Sequence, residues 1–549
     1  MSEVEHTLEE SRNLRARSAA QAAAERLTPQ AAAVVKYESR GRVLVVGGEE
    51  AQWFAARLAD PLHAEILLTE GEEEAGVPST AVGGRALSID GHLGAFRIEL
   101  GERGRHNYQS INTDLVVDLG AEPLIASEIP PPGYWRFGRE PADLDAAWLA
   151  VDGMVGTFEK PRYFDYDPNI CAHGRSGQSG CSRCIEACPA DAIVSIGEQV
   201  EVNPNLCQGG GICATACPTG AMRYAYPAAG DTAERVRVML KTYIEAGGGD
   251  PVVMFAAESD AADLPPTPPN VLLNVVEELA SVGHELWLAA IAWGARCVLL
   301  ADGGSVPGKA RAALDQQIAH CGELLQGLGY DRSALRTIDT RTGPVAYQAV
   351  PGLPVPALFA ATGDKRQLAG LALGQLWEES PGRPEAIALS AGAPYGRILV
   401  DTEKCTLCMG CTSVCPARAL SAGDETPRLV FHEANCVQCG ICANACPETA
   451  IRLEPRLLAD PEKRRQPVTL HEEPPFCCVE CGKPFATRRV IDNILDKLAG
   501  HAMFQTERAR RRLQMCEDCR VVDAVQDAES MQSGLAFDPI HRSENGKPS

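Results

Sequence analysis

The 549-residue sequence is short of positive charge: 51 Lys and Arg stand against 73 Asp and Glu, for a formal net charge of −22. This balance argues against a nucleic-acid backbone or an anionic membrane as the main partner and favours proteins with basic docking patches. Long apolar runs are also missing. The most apolar stretch, residues 284–301, is interrupted by Glu285 and Arg296 and reads as a buried helix followed by a strand, so no membrane span is expected. The opening residues have neither the apolar run and cleavage site of a secretory leader nor a twin-arginine signal, and a cytoplasmic location is the expectation. No Ser-centred elbow or Walker loop occurs and the 11 His are scattered, which removes hydrolytic and nucleophilic chemistry from consideration. Gly47 and Gly48 follow the strand-like run RVLVVGG, but the full Gly-x-Gly-x-x-Gly spacing of a dinucleotide site is absent.

Cysteine is what the sequence has in abundance: 22 residues, many spaced two or three apart ahead of proline. Disulfide scaffolds are short and not patterned in this way, so thiolate ligation of metal in a reducing compartment is the better reading. The length implies several domains. The expected architecture is multidomain α/β and α+β, with two ferredoxin-like dicluster modules, two small α/β domains and a C-terminal zinc-ribbon-like module. Residues 1–40 read as a helical extension, 41–160 as a small α/β domain, 161–228 as the first cysteine block and 229–345 as a second α/β domain. That second domain has strands near Val252 and Arg296 and helices over 274–282 and 309–327. Residues 346–395 read as a connector around a leucine-rich helix near Leu368, 396–456 as the second block, 457–475 as a charged linker, 476–522 as the terminal cysteine module and 523–549 as a polar tail.

The second block holds Cys405-x2-Cys408-x2-Cys411-x3-Cys415-Pro416 and its repeat Cys436-x2-Cys439-x2-Cys442-x3-Cys446-Pro447. A cubane needs four thiolates; a tight loop supplies three, and the fourth of each run serves the other cluster. One site is therefore Cys405, Cys408, Cys411 and Cys446, and the other Cys436, Cys439, Cys442 and Cys415. The lead-ins DPNIC, NPNLC, DTEKC and HEANC mark four copies of one unit, two in each block.

The first block is an altered version. In its opening run nine residues separate Cys171 from Cys181, before Cys184 and Cys188-Pro189, giving the set Cys171, Cys181, Cys184 and Cys217. In its second run, Cys207-QGGGI-Cys213 and Cys217-Pro218, Gly210 stands where the middle cysteine belongs. That site keeps Cys207, Cys213 and Cys188, which implies a [3Fe-4S] cluster, a site-differentiated [4Fe-4S] cluster with a non-cysteine ligand, or no cluster. His173 is a possible ligand but reads better as a loop histidine. The terminal pairs Cys478-x2-Cys481 and Cys516-x2-Cys519 suit a structural zinc, with a single rubredoxin-like iron as the rival. Cys477 reads as a spare, and Cys297 and Cys321 as buried core thiols.

Each block resembles the two-cluster bacterial ferredoxins. Residues 251–340, with ELWLAAIAWGARCVLLADGG, look like the delta-subunit domain of methanogen-type hydrogenase and heterodisulfide reductase complexes, although that family's paired cysteines are missing here. The order of the whole chain, with GTFEKPRYFDYDPNICAHGRSGQSGCSRC entering the first block, is similar to the cytoplasmic ferredoxin-like proteins encoded beside bacterial molybdenum formate dehydrogenases. That resemblance implies a role in formate-linked electron flow or in support of such a dehydrogenase, with redox proteins as partners, while the ligand sets above predict three regular [4Fe-4S] clusters and one irregular one. A flavin- or NAD-binding oxidoreductase subunit and a maturation scaffold for a molybdenum dehydrogenase are the competing expectations.

Overall fold

The computed structural model describes residues 3–71, 77–343, 345, 347–348, 350–353, 355–423 and 426–527. They form two compact units, one of residues 1–396, 437–439 and 455–464, the other of residues 397–436, 440–454 and 465–549. Of the expected polar tail, residues 528–549 lie outside the described residues, while 523–526 end the helix Glu517–Gln526.

The first unit opens with the helix Glu3–Ala24 packed on the helix Ala229–Glu245. Ala16, Ala20 and Ala24 recur every four residues on its buried face, and their small side chains allow close helix approach. The expected helical extension is not helical throughout. Val34–Ser39 is a strand, antiparallel to Gly156–Pro161, and buries Val35, Tyr37 and Ser39 by simple alternation.

Five parallel strands follow in the spatial order Ser79–Ala81, His63–Leu68, Arg42–Gly47, Leu115–Asp118, Tyr134–Arg136. Val43 and Val45 face one core with the helices Glu49–Ala55 and Pro141–Val151, whereas Leu44 and Val46 face another under the antiparallel strands Leu87–Asp90, Phe96–Leu100 and Gln109–Thr113. Cover on both faces is why RVLVV reads as a continuous apolar run.

The second parallel sheet runs Val271–Val276, Val252–Ala257, Cys297–Asp302, Leu335–Asp339. The helix expected over 274–282 is absent: Val275 and Val276 complete a strand, and only a 3-10 turn, Leu279–Ser281, follows. The β-branched residues pair there with Val252–Ala257, and that pairing outweighs the local helical pattern. The segment read as a connector carries the helix Lys365–Glu378, started by an Asp364–Gln367 capping box. It buries Leu368, Ala372, Leu373 and Leu376 in the same core as the helix His284–Ala292.

In the second unit the expected linker is part of a sheet. Pro467–Glu472 pairs antiparallel with Arg428–His432, which also pairs with Leu420–Ala422. The hairpin Pro475–Cys477 and Pro484–Thr487 leads into the helix Arg488–Leu498, capped by the buried Thr487.

Candidate metal centres

The cysteine runs share one backbone plan. Four residues ahead of the first cysteine, the side chains of Asp167, Asn203 and Asp401 accept the N–H of the residue two places on, at 3.0, 2.9 and 3.1 Å. These Asx turns bend the chain into the ligand loop. Within three of the loops the second and fourth residues after the first cysteine are left-handed: Gly209 and Gly211, Leu407 and Met409, Gln438 and Gly440. Such a conformation is costly for Leu407 and Met409, and its persistence there marks a constrained loop. After each Cys-Pro the third residue beyond the cysteine is again left-handed, at Asp191, Gly220, Arg418 and Thr449. The fourth thiol of every run then accepts a backbone N–H: Cys188 from Ala192 at 3.4 Å, Cys217 from Met222 at 3.4 Å, Cys415 from Ala419 at 3.2 Å and Cys446 from Ala450 at 3.3 Å. Hydrogen bonds to cluster sulfurs are a lever on reduction potential.

Cys405, Cys408, Cys411 and Cys446 line one cavity, closed by Leu407, Met409, Leu429 and Ile451. Burial, reinforced by Cys408, Cys405 and Cys446, pushes the Cys411 thiol up to about 12. In the first block burial pushes Cys184 up to about 12, with Cys217, Cys181 and Cys171 adding to it. Cys188, Cys207 and Cys213 line a second cavity, where burial and then Cys207 and Cys188 drive Cys213 far above a normal thiol. Thiols crowded in this way stay protonated until a cation displaces their protons. Of the remaining set, Cys436 is buried, and Cys415, Cys439 and Cys442 are half-buried.

His173 is not positioned as a ligand. Its Nδ1 lies 2.8 Å from the Cys181 carbonyl and its Nε2 2.7 Å from Ser195 Oγ. The insert it belongs to folds as a small hairpin, Gly174–Arg175 against Gln178–Ser179.

Several supporting residues carry no sequence motif. Lys160 Nζ donates to the carbonyls of Asn205 and Cys207 at 3.1 and 2.6 Å, and burial lowers it to about 8. Lys365 Nζ donates to the carbonyls of Ala214 and Thr215 at 2.8 and 2.6 Å, at the end of the helix Ile212–Ala216 that links Cys213 to Cys217. Arg366 donates to the Pro218 carbonyl. In the second unit Arg489 donates to the carbonyls of Thr402 and Glu403, both at 2.6 Å, and of Cys405 at 3.4 Å. These lysines and arginines come from segments far away in the chain, and no local pattern singles them out.

The terminal sulfurs of Cys478, Cys481, Cys516 and Cys519 all lie within 4.8 Å of one another, with Cys481 and Cys516 at 3.7 Å. A tetrahedral metal with M–S of about 2.3 Å needs sulfurs about 3.8 Å apart. Burial alone would raise the Cys478 thiol, but the backbone N–H groups of Cys481, Cys516 and Glu480 hold it down at about 6. Cys477 is exposed and outside this group; Cys297 and Cys321 are fully buried in the core.

The Gly47–Gly48 turn is occupied by acid. The Gly48 N–H is taken by Glu50 at 3.1 Å, and a Cβ at Gly48 would meet Glu70 at 2.9 Å. Carboxylates in that position disfavour a phosphate, so the nucleotide reading gains nothing from the fold.

Taken together, these loops define iron–sulfur modules of the ferredoxin type, and residues 154–221 and 404–450 match the family described as a 4Fe-4S dicluster domain. An uncharacterized ferredoxin of Methanocaldococcus jannaschii is 40% identical over 70 residues, which is 13% of this chain. The chain spans 38% of the length of that relative. The protein is thus a metal-binding, ferredoxin-like iron–sulfur protein. Among the described residues no helix is long and apolar enough to cross a membrane.

Proposed function

We propose that this chain is a multi-cluster electron carrier serving a dehydrogenase, with a molybdenum formate dehydrogenase as the enzyme class it partners in the cytoplasm. The observation that supports the electron-carrier reading is the fourfold N–H···S pattern on the closing cysteines, a means of tuning cluster thiolates that recurs in both cysteine blocks of one chain. Regular [4Fe-4S] clusters are assigned to three sets: Cys171, Cys181, Cys184 and Cys217; Cys405, Cys408, Cys411 and Cys446; and Cys415, Cys436, Cys439 and Cys442. An irregular cluster is assigned to Cys188, Cys207 and Cys213, and a structural zinc to Cys478, Cys481, Cys516 and Cys519. When bound, the clusters supply one-electron chemistry, and the chain's own residues orient the thiolates, exclude water and set the local charge.

The test begins with anaerobically purified protein assayed for iron, acid-labile sulfide and zinc, with electron paramagnetic resonance of the reduced state. Formate and a molybdenum formate dehydrogenase are then added in a stopped-flow cell. Cluster bleaching at the rate of enzyme turnover is the expected result. Clusters that reduce with dithionite but not with formate and the enzyme would leave the carrier reading intact and remove the formate link.

A further inference from the structure

Three glycines in a row, Gly209, Gly210 and Gly211, replace the middle of the ligand loop between Cys207 and Cys213, and only two of them are required by the backbone. Gly209 has φ +83° and a Cβ there would strike the Tyr163 ring at 2.9 Å; Gly211 has φ +71° and a Cβ there would strike Ser281 at 2.5 Å. Their counterparts in the second block, Leu407, Met409, Gln438 and Gly440, share the left-handed conformation. Gly210 therefore occupies the register of Cys408 and Cys439, where the middle thiolate is mounted. It is not left-handed, and a Cβ at this position would meet only Pro189 Cγ at 3.9 Å, an ordinary contact. A cysteine fits at residue 210, and neither sterics nor backbone strain accounts for its absence.

The cavity has not closed over the missing thiol. Gly209, Gly210 and Gly211 still line it together with Cys188, Cys207 and Cys213. Among the described residues lining the cavity, the only side chains with donor atoms are Cys188, Cys207, Cys213 and Gln208. Gln208 Nε2 donates to the Pro130 carbonyl at 2.5 Å, so its Oε1 is the one non-thiol side-chain oxygen on the lining, and Asp191, just beyond Cys188, is paired with Lys309 at 2.6 Å. Ile129, Phe164, Pro189, Ile193 and Ile212 make up apolar walls that offer no hydrogen bond to a hard oxyanion. Gly210 itself is half-buried and not sealed.

We propose that Gly210 leaves a built-in open coordination position, facing the cluster held by Cys188, Cys207 and Cys213, that accepts the sulfur of a small exogenous thiol. The site vacated has the size and apolar character of a CH2–S group, and a soft donor suits iron in a thiolate cage. Binding would be a ligand exchange: the solvent water on the iron that lacks a protein thiolate leaves as its iron–oxygen bond breaks, the thiol gives its proton to solvent, an iron–sulfur bond forms, and no electron changes hands. The inference rests on the cluster reading of the first block.

The experiment uses the full chain, reconstituted anaerobically with excess iron and sulfide, and 2-mercaptoethanol as the probe. Iron and sulfide per chain and Mössbauer spectra are recorded for the native chain, Gly210→Cys and Gly210→Ala. The native chain and Gly210→Ala should show one iron whose signal shifts on titration with the thiol; in Gly210→Cys that response should be lost at unchanged iron content. A stable three-iron cluster in the native chain that gains an iron only in Gly210→Cys would overturn the open position while the cluster reading stands. A four-iron cluster indifferent to thiol would overturn it also, because the fourth ligand would then come from the protein. If the site takes up no iron in either the native chain or Gly210→Cys, the cluster reading of Cys188, Cys207 and Cys213 fails instead.

Discussion

The two cysteine blocks share a backbone and differ in what surrounds it. Both use Asx lead-ins, left-handed loop positions and N–H···S closure. In the first block, however, the second loop is wedged against Tyr163 and Ser281, and its helix is held by Lys365 and by Thr215 donating to the Ala280 carbonyl at 2.7 Å. In the second block Leu407 and Met409 stand in place of the glycines, Thr487 donates to the Thr406 carbonyl at 3.2 Å, and Arg489 clasps the lead-in. The difference teaches that the loop conformation does not depend on its middle thiol. Packing and turns hold the backbone, so a ligand can be deleted without losing the cradle.

That contrast can be broken most forcefully by deleting a ligand from the regular cavity. Cys411→Ala should remove or convert the cluster of Cys405, Cys408 and Cys446 while the first block keeps its signals, as read by iron analysis and electron paramagnetic resonance. Loss of signals from both blocks would show that the blocks are not independent.

A smaller effect is expected from the braces. Lys365 is nearly buried, and Glu285 lies 3.7 Å from its Nζ, so Lys365→Met strands a buried carboxylate and two helix carbonyls. The cost should be about 3 kcal/mol of stability in urea unfolding. Arg489→Ala removes a partly exposed clasp and should cost about 1 kcal/mol, seen as faster loss of second-block iron to a chelator. Equal losses would contradict the view that the first block is the more deeply embedded.

The smallest effect concerns pH. His284 is buried beside Lys365, and burial, then that cation, holds its imidazole well below the usual range. The folded chain keeps His284 neutral while the unfolded chain takes up a proton near pH 6.5, so this contribution is complete above that pH and declines as pH falls through and below it. His284→Gln should flatten the acid limb of stability between pH 6.5 and 5 by about 1 kcal/mol, measured by denaturation at each pH.

The ligand sets are proposed from the spacing of the thiols in each run and from the Cys-Pro that closes it, and the structure brings Cys405, Cys408, Cys411 and Cys446 to one cavity. The zinc-type group was readable for the same reason, its four sulfurs arriving as two local pairs. The linker was read without its strand, whereas the helix expected near Leu368 in the connector is present. Lys365–Glu378 and Pro467–Glu472 gain their order from distant partners, the helix His284–Ala292 and the strand Arg428–His432. The stretch 274–282 looked helical until a neighbouring strand claimed it.

By itself the sequence determined the cysteine spacing and the Cys-Pro closures from which the ligand sets are proposed, since loop spacing and proline limit the local chain to few conformations. Tertiary structure alone decided that residue 210 has room for a side chain, that no neighbouring group fills it, and which lysines and arginines brace each block. Those facts depend on the approach of residues distant in the chain, 45 positions apart for Lys160 and Asn205 and 151 for Lys365 and Ala214, and the free energy of such contacts is set by burial and by hydrogen bonds made only once the chain has folded.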